Sequence, residues 1–67
     1  MEIAIRFGQR VKRIRLDKQM SQGILAKKLA VSPSYVSKIE RGVQNLSLSG
    51  VEKLADALGV SPDKLLK

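Results

Sequence analysis

At 67 residues, 43% of them hydrophobic and none of them Cys or Trp, the chain has room for one small core, with no disulfide or thiolate-bound metal to reinforce it. Thirteen Lys and Arg against six Asp and Glu give a net charge of +7, which favours a polyanionic partner; ten of the basic residues and three of the acidic ones lie between Met1 and Gly42. There is no His, the six carboxylates are scattered, and neither a phosphate-cradling glycine loop, a signal-peptide pattern nor an apolar run of membrane-spanning length is present, so a soluble, cytoplasmic, non-enzymatic protein without cofactor or metal is expected.

Five short helices are expected in a single all-α domain over residues 1–67. In the first, Ile3, Phe7, Val11 and Ile14 recur three to four residues apart and form one apolar stripe, with Ala4 beside it. Arg6, Arg10 and Arg13 share a different, polar face; with Lys12 they are expected to form a solvated surface that adds to the basic field. Membrane binding through this helix conflicts with the need for Phe7, Val11 and Ile14 in the core. Arg15 projects beside Val11 at the border of the stripe, where it can reach a half-buried partner.

Ser21 is the expected N-cap of a second helix that buries Leu25, Ala26 and Leu29. The pair Ser32-Pro33 supplies the next cap and a proline at the first helical position, where its missing N–H costs nothing. A helix over Pro33 to Arg41 puts Tyr35, Val36 and Ile39 on one side and Pro33, Ser34, Ser37, Lys38 and Arg41 on the other, and Gly42 ends it. Ser47 caps a fourth helix whose Val51, Leu54, Ala55 and Leu58 face the core, with Gly59 closing it. Ser61-Pro62 repeats the start signal for a last helix, through Leu65, Leu66 and Lys67, that is too short to stand alone.

Two short helices separated by a tight turn, over about residues 21–41, with the second capped and presenting small polar and basic side chains outward, suit entry into a DNA major groove. The floor of that groove is a set of donor and acceptor edges and its rim is phosphate, so Ser34, Ser37 and Lys38 are the side chains expected to approach it.

Ser21-Gln22, Leu25-Ala26, Val31-Ser32, the run Tyr35 to Gly42, Leu54-Ala55 and the run Ala57 to Ser61 together resemble the Cro/repressor-type (XRE-like) helix-turn-helix proteins over nearly the whole chain. The segment Asn45-Leu46-Ser47-Leu48, with Leu where proline is common, is similar to the controller proteins of restriction-modification systems; small phage and plasmid repressors share the same length and motifs. The resemblance implies a compact five-helix repressor-like domain and a transcriptional regulator. It implies that Gln22 meets the DNA backbone, that Ser32, Ser34, Ser37 and Lys38 touch bases or flanking phosphates, and that Pro33 offers only shape or thymine-methyl contact. Arg15 and Glu40 match an inter-helix salt bridge, and Arg41 and Asn45 match positions near phosphates. Tyr35, mainly a core residue, is counted with the DNA-facing set.

Three positions depart from the family pattern. Gly23 and Ile24 stand where polar helix formers are usual, and Ala30 replaces the common turn glycine. One such domain reads only a few base pairs, so a homodimer on a near-palindromic operator is expected, with Leu65, Leu66, Val60 and Leu46 or Leu48 as its apolar interface. RNA polymerase is the further partner that regulation would involve, and no site for a small-molecule ligand is evident. The rival reading is a protein-interaction module, such as an antitoxin using this fold to bind a toxin.

Overall fold

A computed structural model describes residues 2–66, and all its elements are helices: α1 (Ile3–Asp17), α2 (Gln22–Leu29), α3 (Pro33–Arg41), α4 (Leu48–Leu58) and α5 (Pro62–Leu66). The starts of three of them follow the expected caps. Ser21 Oγ accepts from the Ile24 N–H at 3.0 Å, Ser32 Oγ from the Tyr35 N–H at 3.2 Å, and Ser47 Oγ from the Gly50 N–H at 3.1 Å. Gly42 and Gly59 end α3 and α4 with φ of 77° and 72°, the left-handed conformation that costs glycine least. Lys67, expected in the last helix, lies outside the described residues.

The core is aliphatic. Val11, Leu25, Val36, Leu54, Leu58 and Leu65 are fully buried, and Phe7, Ile14, Met20, Leu29 and Tyr35 pack around them. Every helix therefore contributes at least one of these six side chains, which is how five elements too short for independent stability hold one another. No helix among the described residues is long and apolar enough to cross a membrane.

Two expectations need correction. Ile3 was placed on the core stripe of α1, but it is 80% exposed: as the first residue of the helix it stands at the edge of the packed elements, whereas Ala4, Ile5 and Phe7 are half-buried and Val11 is fully buried. Leu65 was placed at an intermolecular interface, yet it is 2% exposed: α5 is five residues long and Leu65 is the side chain that fastens it to the core. Leu46 and Val60 are likewise partly buried against the same core, leaving Leu48 (80% exposed) and Leu66 (59% exposed) as the outward members of that set.

Close packing of α1 on α3 depends on a residue without a side chain. A Cβ at Gly8 would lie 2.4 Å from the Ile39 carbonyl oxygen and 2.6 Å from that of Glu40. At the exit of α3, a Cβ on Gly42 would lie 2.7 Å from Ile5 Cα. The N-terminal half of α1 thus rests directly on the C-terminal end of α3 and fixes its position.

Candidate nucleic-acid interface

The turn between α2 and α3 sets the angle at which α3 is presented. Ala30 occupies it with φ 59° and ψ 42°, so the left-handed turn usual with glycine is kept by a residue bearing a Cβ, at a cost of about 1–2 kcal/mol. The Val31 N–H closes it by donating to the Ala26 carbonyl at 3.0 Å. Ser32 and Pro33 then start α3 with the geometry their sequence dictates.

Behind this unit lies a polar network through three helices. Arg15 Nε donates to Glu40 Oε2 at 2.6 Å and its Nη2 to Oε1 at 3.1 Å, a paired geometry that uses both carboxylate oxygens. Arg15 Nη1 donates to the Met20 carbonyl at 2.7 Å, and Gln22 Nε2 donates to Glu40 Oε1 at 3.0 Å. The two charged side chains are 7% and 3% exposed. Such a pair contributes less through net attraction than through the penalty that follows if one partner is lost, so it specifies the mutual placement of α1, α2 and α3.

Sequence reasoning located Arg15 and Glu40 but missed the tie from Gln22, the anchoring of Met20, and the left-handed Gln19 (φ 56°) between α1 and α2. The signal for Gly8 was present as a lone glycine in a helical pattern, which often marks close backbone approach. Gln19 carried no comparable mark.

On the outer side, Ser32, Pro33, Ser34, Lys38, Arg41 and Asn45 are exposed, Ser37, Tyr35 and Gln22 are half-buried, and Val36, Ile39 and Glu40 are buried. The structure therefore brings Ser34, Ser37, Lys38 and Arg41 onto one face of α3, with Pro33 at its tip and Tyr35 turned toward the core. Ser32 uses its oxygen as a cap acceptor, which leaves the hydroxyl hydrogen free to donate. Gln22, clamped through one N–H, retains its second N–H at the start of α2, where the backbone amides and helix dipole also favour an anion. Past Gly42, the Val43 N–H returns to the Lys38 carbonyl at 3.0 Å, and the chain turns toward the exposed Asn45, whose carbonyl accepts from Gln44 Nε2 at 3.2 Å.

A small polar face flanked by cations and by two helix starts can donate hydrogen bonds to phosphate on both sides while short side chains meet base edges between them. Beside Gln44 and Asn45, which border it, a shallow apolar depression is lined by Ile3, Phe7, Leu46, Val51 and Leu66.

The chain is similar to known proteins over most of its length. A family model described as "Helix-turn-helix" matches residues 11–65. Control protein C.BamHI of Bacillus amyloliquefaciens is 49% identical over 65 residues, covering 96% of this chain and 80% of that protein. The HTH-type transcriptional regulator SinR of Bacillus subtilis (strain 168) is 45% identical over 60 residues, covering 88% of this chain and 54% of SinR. Among solved structures, the restriction-modification controller protein C.AhdI from Aeromonas hydrophila superposes with a TM-score of 0.88 at 42% identity, covering 92% of this chain and 94% of that one.

Proposed function

Since this chain belongs to the helix-turn-helix family and is a DNA-binding regulator of transcription, we propose that it binds a near-palindromic operator as a homodimer and serves as the controller of a restriction-modification system. The similarity to C.BamHI over 80% of its length and to C.AhdI over 94% of its chain supports that reading over a phage-type repressor. The observation that carries the DNA-reading assignment is the exposed Ser34-Ser37-Lys38-Arg41 face, backed by the buried Arg15-Glu40-Gln22 network that holds it in place.

In this reading Lys38 donates to a base edge, Ser34 and Ser37 make close groove contacts, and Pro33 and Tyr35 add shape at the tip and flank. Gln22, Ser32, Arg41 and Asn45 meet phosphate. The short side chains leave much of the specificity to dimer spacing and DNA deformability. Leu48 and Leu66, with Leu46 at their edge, form the subunit contact. Regulation follows occupancy of the operator near RNA polymerase, in the cytoplasm, and involves no catalysis.

Selection of bound sequences from a random DNA pool, followed by titration of the selected site, tests the proposal. The expected result is a two-fold related consensus whose affinity falls with salt at a log–log slope of about 0.9 per phosphate contacted. Lys38→Ala should relax preference at one base pair per half-site, by about 1–3 kcal/mol. An unchanged consensus and affinity would remove Lys38 from base reading, and a consensus without two-fold symmetry would overturn the dimer.

A further inference from the structure

We propose that Lys12, on the flank of α1 that borders the DNA-facing side of α3, contacts a backbone phosphate of the operator on the same rim of the groove as Gln22. This contact presupposes that α3 enters the major groove. It sets Lys12 apart from Arg6, Arg10 and Arg13, with which its place in the sequence had grouped it.

Two close approaches fix how α1 is turned against α3. A Cβ at Gly8 would lie 2.4 Å from the Ile39 carbonyl oxygen, and one at Gly42 would lie 2.7 Å from Ile5 Cα. The two helices therefore run antiparallel with Gly8 on the line of contact. At about 100° per residue, the buried Val11 lies about 60° to one side of Gly8 and the exposed Lys12 about 40° to the other. On α3 the buried Glu40 is turned to α1 through Arg15; from it, the buried Ile39 lies about 100° to one side, and Ser37 and Arg41 lie about 60° and 100° to the other. Both helices face one core, so their opposite sides share the solvent edge of the seam. Lys12 stands on the edge that Ser37 and Arg41 occupy, one turn beyond Gly8 and hence beside the first half of α3. Gln22, at the start of α2, is tied to Glu40 in the same seam.

The Lys12 ammonium has no anion within the molecule to meet. Its neighbours one turn away along α1 are Gly8, Gln9, Arg15 and Leu16, so no carboxylate stands at helical pairing distance. Glu40, the carboxylate of the seam, is taken by Arg15 and Gln22. A phosphate at the groove rim supplies the missing charge. The arginine row has no such access. Arg6, Arg10 and Arg13 lie roughly 140–160° around α1 from Gly8, so a helix thickness of about 10 Å separates them from this edge, more than the Debye length of about 8 Å at physiological salt. They serve the long-range field that attracts DNA rather than a contact.

Anisotropy titrations of a labelled operator, taken from the pool selection and measured at several salt concentrations, test the contact. Lys12→Gln, Lys12→Arg and Arg13→Gln are compared with the unmodified protein, with Lys38→Ala as the check on groove reading by α3 and thermal melts as the check on folding. Lys12→Gln should make the log–log salt slope shallower by about 0.9 per half-site and weaken binding about fivefold per half-site at 0.15 M salt. Base preference and melting temperature should stay unchanged. Lys12→Arg should bind almost as the unmodified protein does, and Arg13→Gln, which removes the same charge from the far face, should hardly alter the slope. An unchanged slope for Lys12→Gln, or an equal loss for Arg13→Gln, overturns the contact; an altered base preference would place Lys12 on a base edge and overturns it too. If Lys38→Ala weakens binding and Lys12→Gln does not, groove reading by α3 stands without Lys12. If neither variant weakens it, α3 is not the reading helix, and both assignments fall.

Discussion

Arg15 and Glu40 lie 25 positions apart in sequence, yet together they carry the polar contact on which the relation of α1 to α3 depends. Removing one partner of a buried pair leaves the other charge unpaired, so Glu40→Ala should cost about 3–5 kcal/mol in urea-unfolding experiments. Replacing both, as Arg15→Met/Glu40→Leu, should recover most of that loss, because neither charge is then stranded. The double variant should still bind DNA less well, since Gln22 loses its clamp as well. A loss below about 1 kcal/mol for Glu40→Ala would mean that the pair behaves as an exposed one. Ala30 offers a test of opposite sign. Its left-handed backbone is strained for any residue with a Cβ, so Ala30→Gly should raise stability by about 0.5–1 kcal/mol despite the entropy glycine adds to the unfolded chain. The border position of Arg15 on the α1 stripe made this contact legible in the sequence, with the partner supplied by family resemblance. The bond from Gln22 was not legible, because an amide at a helix start serves a phosphate or a carboxylate equally well and sequence spacing does not choose.

At the scale of the helices, start and stop signals were legible because they are local. Ser21, Ser32 and Ser47 each cap through a donor three residues on, and Gly42 and Gly59 each end a helix within the same few residues. Contacts between helices were less so. The role of Gly8 depends on which carbonyls of α3 arrive opposite it, and the exposure of Ile3 depends on where α1 runs out of neighbours. Two glycines in helices should therefore respond oppositely to the same substitution. Gly8→Ala drives a methyl into backbone that cannot rotate aside, so a loss of about 1–3 kcal/mol is expected, together with weaker DNA binding as α3 shifts. A methyl at Gly23 meets nothing nearer than Ser21 Oγ at 3.7 Å, so Gly23→Ala should stabilise α2 by about 0.5–1 kcal/mol and leave the groove-facing side chains where they are. Parallel thermal melts check both; equal shifts would contradict the close approach of α1 to α3.

For the molecule as a whole, size argues for two copies on DNA. One copy measures 27 × 23 × 22 Å, whereas successive major grooves on one side of the duplex lie about 34 Å apart. A single domain carrying one α3 therefore reads one groove, and two copies side by side have the reach for two. The charge distribution permits that approach, because Val43 to Lys67 contain three basic and three acidic residues while the excess positive charge lies in the portion that includes α2 and α3. Leu48 and Leu66 are exposed enough to meet across a two-fold axis, whereas Leu65 is committed to the core of its own subunit. If two copies meet there as proposed, Leu48→Glu should shift sedimentation to that of a single copy while hardly altering the fold of each subunit. On DNA, inserting about five base pairs between the half-sites turns one of them to the opposite face of the duplex, and affinity should drop to that of a single half-site. The same drop should appear for Leu48→Glu on the unmodified site, and combining the insertion with Leu48→Glu should add little further, because both remove the same coupling. Retention of full affinity across the insertion would mean that the two copies bind independently, and the symmetric arrangement would have to be abandoned.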